Sequence, residues 1–139
     1  MTMIEKHVTD FLECTQIAVI GTIDKAGRPR SAPIWFHWEE GAAYMFTRRN
    51  TLKWCNLLER PYASLCIDRR ELPYASVVMD GRIEEANSSL YSLVLGMALR
   101  YYGEEKGREF AKGYRDNSDE VAVFRLVPRH IASFGIEDL

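Results

Sequence analysis

The sequence has no excess of positive charge, and this absence narrows the range of partners. Its 139 residues carry 18 lysines and arginines against 20 aspartates and glutamates, a formal net charge of −2. Proteins that bind nucleic acid through its phosphates usually present a clear basic excess. Nucleic acid is therefore not an expected partner.

Cysteine, histidine and long apolar runs are also scarce. The three cysteines form no Cys-x-x-Cys pair and no even disulfide set, so they fit a reducing compartment. The three histidines have no second ligand three or four residues away, and no metal site is predicted. Apolar runs such as Ile17–Ile20 are far shorter than the roughly 18 residues of a membrane span. We therefore expect a cytoplasmic protein with no membrane association.

Two catalytic signatures are missing as well. The nine glycines form neither a Gly-x-Gly-x-x-Gly nor a Walker loop, and no Gly-x-Ser-x-Gly elbow occurs. These absences remove the main support for a dinucleotide-binding fold and for a serine hydrolase.

The sequence does contain enough apolar residues for one folded domain. Hydrophobic residues make up 47% of the chain and aromatic residues 12%. A domain of this size buries roughly two-thirds of the surface of its unfolded chain. Because no linker, repeat or low-complexity segment interrupts it, residues 1–139 are expected to form a single domain.

The spacing of apolar residues predicts a mainly β protein with short helices. An amphipathic N-terminal helix precedes a hairpin with its turn at Asp24–Gly27. The second arm, 28–38, contains two prolines, which confine that part to an edge of the sheet or to a bulge. Six or seven strands joined by short turns favour an antiparallel sheet closed into a small barrel. The other predicted elements are strands 17–23, 42–47, 62–68, 74–83, 121–127 and 130–134, a helix at 51–59, and a helix from Ser88 or Ser89 to about Tyr114 that is broken at Gly103.

Two details of this pattern bear on packing. The run Ile34–Trp38 places aromatic side chains on both faces of a strand, so one face needs the core and the other needs a second partner. In the helix at 51–59, the side chains of Leu52, Leu57 and Leu58 are expected to be buried.

The junction between strand 42–47 and the following helix has the outline of an anion site. A helix N-terminus offers unpaired N–H groups and a partial positive charge. Thr51 can add a hydroxyl donor, and Lys53 or a neighbouring arginine can add a full charge. The simpler alternative is that Asn50 is the N-cap and the cations are ordinary surface residues. The Trp35-bearing strand lies beside this junction, and a flat apolar wall next to an anion site suits a planar ring that carries a phosphate.

The motifs of this sequence follow one another in an order that is similar to that of a known family. The Asp-Lys-Ala-Gly turn is followed by Arg-Pro-Arg-Ser-Ala-Pro-Ile-Trp-Phe, a glycine turn, Tyr-Met-Phe-Thr, Thr51 and Lys53, then Asn-Leu and Arg-Pro. This order resembles the pyridoxamine 5′-phosphate oxidase-like superfamily, also called the flavin/deazaflavin oxidoreductase split-barrel family. The resemblance covers roughly residues 8–85, and the segments 100–104 and 124–128 are similar to its short branch.

The resemblance implies a six-stranded antiparallel split β-barrel that forms a homodimer, with cofactor sites across the subunit interface. The resemblance matches Thr47 to the family threonine beside the cofactor and Thr51 to the residue whose hydroxyl binds the cofactor phosphate. It matches Lys53 to the basic residue two positions after that hydroxyl. Strand 31–35 matches the family strand that lines the cofactor ring and its tail. Ser76 matches a polar residue that the sheet directs at the cofactor. The cofactor-binding residues predicted in this way are Arg30, Ser31, Ala32, Pro33, Trp35, Thr47, Arg48, Thr51, Lys53 and Ser76.

The chain also departs from part of that family. Leu52 stands where the oxidases of vitamin B6 metabolism place an arginine, and their arginine-rich C-terminal substrate segment has no obvious counterpart. Strict pyridoxamine-phosphate oxidase activity is therefore not expected. FMN is the expected cofactor. The alternatives are coenzyme F420, whose polyanionic tail suits Arg48, Arg49 and Lys53, and haem, with His37 or His130 as axial ligand.

The expected function is that of an FMN- or F420-binding oxidoreductase that transfers hydride or electrons between the bound cofactor and a small organic substrate. The alternative is a non-catalytic flavin or haem binding protein that acts as a carrier or sensor. The sequence identifies no catalytic residue; Tyr44, Tyr74 and His37 are the candidates for a proton donor.

Overall fold

Seven antiparallel strands and three helices form the part of the chain that the computed structural model describes, residues 4–14, 17–116 and 119–139. The helices are α1 (Lys6–Cys14), α2 (Leu52–Glu59) and α3 (Leu90–Ala111). The strands are β1 (Ile17–Ile23), β2 (Pro29–Trp35), β3 (His37–Glu39), β4 (Ala42–Arg48), β5 (Tyr62–Arg69), β6 (Ala75–Glu85) and β7 (Val121–Phe134). None of the described helices is both long and apolar enough to cross a membrane.

The sheet curls because its two edge strands are consecutive in the chain. The strand order is β2-β1-β5-β6-β7-β4-β3, and only Phe36 separates the end of β2 from the start of β3. Since one residue spans less than about 4 Å, the two edges must meet at this point. The split-barrel fold expected from the sequence is therefore confirmed, with the proline-containing β2 at an edge.

The implied number of six strands is wrong. The arm predicted at 28–38 is interrupted at Phe36, whose side chain is buried, and so it forms β2 and β3. The two strands predicted on either side of Pro128 are one strand, β7, with a register irregularity opposite Asp80 and Gly81. The count in this part of the chain is therefore seven.

Alternating side chains fill the barrel. Ala43 and Met45 on β4 and Leu65 and Ile67 on β5 are fully buried in one apolar cluster. The helix α1 closes part of this cluster with the residues that its predicted apolar face contains, Val8, Phe11 and Leu12.

The helix α3 folds back on itself at Gly103. Ser89 is its N-cap, because the hydroxyl accepts a hydrogen bond from the N–H of Ser92 at 3.2 Å. Gly103 has φ +83°, a conformation that glycine adopts readily, and it breaks the helix as predicted. The two halves then pack so closely that a Cβ on Gly107 would lie 2.8 Å from the carbonyl oxygen of Ala98. This helical hairpin covers Val123 on the outer face of β7 and forms a second apolar cluster.

The helix α2 presents a narrower apolar face than the sequence suggested. Trp54 and Leu57 are buried against the barrel. Leu52 and Leu58 are 55% and 64% exposed, so the prediction that they are buried is wrong. Both lie off the single stripe that contacts the barrel, which a helix of eight residues presents on only one side.

Candidate functional site

A cavity of about 400 Å³ lies between the end of β2, the end of β4 and the N-terminus of α2. Its lining includes six of the ten residues predicted to bind a cofactor: Pro33, Trp35, Thr47, Arg48, Thr51 and Lys53. Ile34 also lines the cavity and lies within the predicted strand 31–35, whereas the sequence analysis gave no binding role to the other lining residues, which are Ile17, Phe46, Tyr114 and Val121. The cavity therefore has a cationic, hydroxyl-bearing end and an apolar, aromatic end.

Thr51 begins the helix at the polar end. Its hydroxyl accepts the N–H of Trp54 at 3.2 Å and donates to the carbonyl oxygen of Arg48 at 2.8 Å. Thr51 is therefore the N-cap, and the alternative in which Asn50 has that role is wrong. The cap leaves the N–H groups of Leu52 and Lys53 without an intrahelical partner, and of these two residues Lys53 lines the cavity.

Thr47 connects the strand to this cap. Its side chain is buried, and its hydroxyl lies 3.4 Å from that of Thr51 and 3.5 Å from the Lys53 ammonium. The proton of Thr51 is committed to Arg48, whereas that of Thr47 can be donated either to Thr51 or to a ligand. Of the two threonines, Thr47 is thus the better-placed hydroxyl donor.

Lys53 is the lysine of this site, and its ionic surroundings differ from those of the neighbouring Arg48 and Arg49. It is half-buried, and desolvation by burial lowers the pKa of its ammonium group. No carboxylate among the described residues lies at ion-pair distance from it. By contrast, Arg48 lies 3.7 Å from Glu120 and Arg49 lies 2.9 Å from Glu85. A half-buried cation without a carboxylate partner is incompletely compensated for its lost hydration, so this position favours an anionic ligand.

The aromatic end is built against the helical hairpin. Trp35 stacks on Tyr101 with ring centroids 4.1 Å apart and planes inclined by 9°. It also lies edge-on to Phe46, at 6.5 Å and 79°. The second partner that the aromatic strand required is thus α3 of the same chain, at least for Trp35.

The remaining predicted residues of β2 divide between the two faces of the strand. Ser31 alternates with Pro33 and Trp35 and shares their face, although it does not line the cavity. Arg30 and Ala32 lie on the opposite face, and Ala32 packs against the barrel core.

Arg30 is held at the hairpin turn and does not line the cavity. Its Nε donates to Asp24 at 3.0 Å. Asp24 also accepts backbone N–H groups, of which that of Arg28 contributes most to the lowered pKa of the carboxyl. The side chain of Arg30 therefore has a structural partner six residues away.

Ser76 lies elsewhere on the sheet. It lines a separate depression with Asp68, Tyr74 and Phe134, on the outer face of β6. One chain by itself does not bring Ser76 to the cavity, and its contact with a cofactor stays a prediction that requires a second subunit.

The candidate proton donors have other partners or other locations. The Tyr44 hydroxyl accepts a hydrogen bond from Arg125 at 3.2 Å, and Arg100 lies 2.9 Å from Nδ1 of His37. Tyr74 belongs to the depression around Ser76. The tyrosine in the cavity lining is Tyr114, from the turn that follows α3. No sequence signal links this turn to strand β4, because their contact is purely tertiary.

Several known structures share this fold. The conserved hypothetical protein Rv2991 from Mycobacterium tuberculosis is 19% identical, with a TM-score of 0.80 over 99% of this chain and 89% of its own. An F420 reductase is 16% identical, with a TM-score of 0.75 over 94% and 98%. HutZ, the haem storage protein from Vibrio cholerae, is 18% identical, with a TM-score of 0.68 over 96% and 94%. At these identities the likeness concerns the fold alone.

The family is established by sequence. No curated protein matches the chain in sequence. The family model described as pyridoxamine 5′-phosphate oxidase, however, matches residues 4–133, which is almost the whole chain. That range includes both ends of the cavity, from Trp35 to Lys53 and on to Tyr114. The chain therefore belongs to the pyridoxamine 5′-phosphate oxidase family.

Proposed function

We propose that this protein is an oxidoreductase that binds FMN or coenzyme F420 in the cavity between β2, β4 and α2, and acts on a small organic substrate. The observation that carries the proposal is the half-buried Lys53, which no carboxylate of the described residues neutralises and which stands at the start of a helix. The positive charge of Lys53, together with the partial positive charge of the helix N-terminus, is complementary to the negative charge of a phosphate group.

The polar end fits the phosphate of such a cofactor. The ammonium of Lys53 supplies a full charge, and the free N–H groups at the start of α2 supply directional donors. Thr47 supplies a hydroxyl within 3.5 Å of Lys53. Arg48 lies at the rim, where its pairing with Glu120 is exposed and therefore weak enough to be exchanged for a ligand.

The apolar end fits the flat ring. Trp35, Phe46 and Pro33 form walls that exclude water from one side of the cavity. As an edge strand, β2 keeps part of its peptide groups unpaired, so main-chain donors are available to polar atoms of the ring. The bound cofactor would supply hydride or electron transfer, and the protein would supply binding, orientation and a dry environment.

A homodimer is part of the proposal, because one chain leaves an apolar row uncovered next to the cavity. Cross-strand neighbours on the outer face run from Pro33 through Val19, Cys66 and Val78 to Ala132. Val78, the fourth of these five residues, is 42% exposed. Contiguous apolar surface of this kind is typical of an interface. A second copy packed on this face would bring its Ser76, which lies beside Val78, towards the cavity.

A carrier or sensor without turnover is the second candidate. This candidate is favoured by the cavity lining. Among the described residues the lining contains no carboxylate and no histidine, which are the usual general acids in enzymes. Neither His37 nor His130 lines the cavity, so we propose no haem at this position.

The experiment is the absorption spectrum of the purified protein before and after addition of FMN, F420 or haem, followed by a turnover assay with reduced cofactor. A flavin or deazaflavin spectrum with sustained substrate reduction supports the oxidoreductase. Tight binding without reduction of any substrate in a panel supports the carrier. A protein that binds neither FMN nor F420 would contradict the proposed function.

A further inference from the structure

Tyr114 has a position that the sequence analysis and the family assignment leave without a role. It is the tyrosine in the cavity lining, and it comes from the turn after the helical hairpin rather than from the barrel. On the basis of the proposed function, we infer that the Tyr114 hydroxyl donates a hydrogen bond to a ring carbonyl of the bound cofactor.

The hydroxyl of Tyr114 is neither paired nor fully buried within the described residues, and in this it differs from those of Tyr91 and Tyr101. The Tyr91 hydroxyl accepts from Arg115 at 3.2 Å, and the Tyr101 hydroxyl is buried without a partner. Within the described residues, Tyr114 has no hydrogen-bond partner, and its hydroxyl is not among the buried unpaired atoms. It is therefore open to solvent beside the cavity and can take a ligand atom as its acceptor.

The ring of Tyr114 is held in place by other rings. It packs edge-on against Phe46, with centroids 5.4 Å apart and planes at 70°, and lies 5.5 Å from Phe110. Phe46 in turn contacts Trp35. A phenol fixed in this way loses little entropy when it binds a ligand. Tyr114 thus belongs to the aromatic part of the lining, with Phe46 and Trp35.

The ligand chemistry follows from the donor. A neutral phenol donates one O–H bond at physiological pH. The pyrimidine ring of both a flavin and a deazaflavin presents carbonyl oxygens at the edge of the ring system, whereas inorganic phosphate has no ring to contact. The contact should therefore contribute to binding of the ring and not to binding of the phosphate.

The test is Tyr114→Phe, titrated separately with FMN and with inorganic phosphate. Tyr102→Phe is the matched control, since Tyr102 belongs to the same aromatic cluster and has no hydrogen-bond partner in the described structure, yet does not line the cavity. We expect Tyr114→Phe to weaken FMN binding about 3- to 10-fold, the scale of one neutral hydrogen bond. Its affinity for phosphate should not change, and the absorption bands of bound FMN should shift. Tyr102→Phe should match the wild type in all three measurements.

Three results would overturn the inference. Equal FMN affinity and an unshifted spectrum in Tyr114→Phe would remove Tyr114 from the site while leaving the proposed function intact. If the wild type bound neither FMN nor phosphate, the proposed function would fail and the inference with it. A loss of phosphate affinity in Tyr114→Phe would also contradict the inference, because it would show disturbance of the whole site.

Discussion

The chemistry of the candidate site depends on how one lysine is surrounded. Lys53 is half-buried without a carboxylate partner in the described part of the chain, and burial lowers the pKa of its ammonium group. Arg48 and Arg49, which the sequence analysis regarded as equally available, have Glu120 and Glu85 beside them. The sequence indicated which cations lie near the helix start, but only the tertiary structure shows which one is unpaired. The glutamates that make the difference lie 36 or more positions away in the sequence.

The lowered pKa of Lys53 predicts a pH dependence of cofactor binding. A bound phosphate stabilises the ammonium form and raises its pKa, so above the pKa of the free protein binding requires uptake of a proton. FMN affinity should be constant at neutral pH and should weaken as pH rises, starting below the ordinary lysine value of 10.5. In Lys53→Arg the guanidinium stays charged, so this weakening should disappear. Fluorescence titrations between about pH 7 and pH 10 measure it; equal pH profiles for both proteins would contradict the assignment.

At the scale of elements, local sequence signals predicted the start and end of each helix better than they predicted the buried faces. The cap and the break of α3 depend on neighbouring residues: the sequence offered Ser88 or Ser89 as the cap, of which Ser89 has that role, and it predicted the break at Gly103. The burial of Leu52 and Leu58 depends on the angle at which α2 meets the barrel, which no spacing rule determines. Likewise, the stacking of Trp35 on Tyr101 depends on the hairpin of α3. The features that tertiary packing determines, such as side-chain burial and ring stacking, are therefore the ones that the sequence did not predict.

The close packing of the α3 hairpin predicts opposite effects for two glycines. A methyl group on Gly107 would meet the backbone around Ala98, whereas no atom lies within 4 Å of the Cβ position of Gly96. Gly107→Ala should lower the free energy of unfolding by about 1–3 kcal/mol, as overpacking does. Gly96→Ala should raise it by about 0.5–1 kcal/mol because alanine favours the helix. Urea unfolding of both variants checks this; equal effects would show that the two halves of α3 are not in contact.

At the scale of the whole molecule, the closure of the sheet places the candidate site. Because Phe36 alone joins the two edge strands, the end of β2 comes close to β4, and the walls of the cavity meet there. The family resemblance anticipated this arrangement, and six of the ten predicted residues line the cavity. Arg30 and Ala32 do not, because Asp24 holds Arg30 at the hairpin turn and Ala32 packs against the barrel core. Ser76 would join the site only through a second subunit.

The uncovered apolar row predicts how the proposed dimer can be disrupted. Val78→Arg places a charge within the row, between Cys66 and Ala132, and a second copy that covered this charge would have to remove it from water. We expect this variant to be monomeric by light scattering and to bind FMN roughly tenfold or more weakly, since a site completed by a second subunit would be lost. Leu139→Arg, at an exposed apolar position outside the sheet, should remain dimeric and bind FMN normally. A monomeric wild type, or a dimeric Val78→Arg protein, would contradict the proposed interface.

The central claim, that Lys53 binds the phosphate of a cofactor whose ring lies in the aromatic end, is tested most directly by comparing FMN with riboflavin, which lacks the phosphate. Calorimetric titration of wild type and Lys53→Ala with both ligands gives the coupling between the lysine and the phosphate. We predict that Lys53→Ala weakens FMN binding by about 1.5–3 kcal/mol, the scale of a hydrogen bond to a charged group, and leaves riboflavin binding unchanged. Equal losses for the two ligands, or no loss for FMN, would contradict the claim.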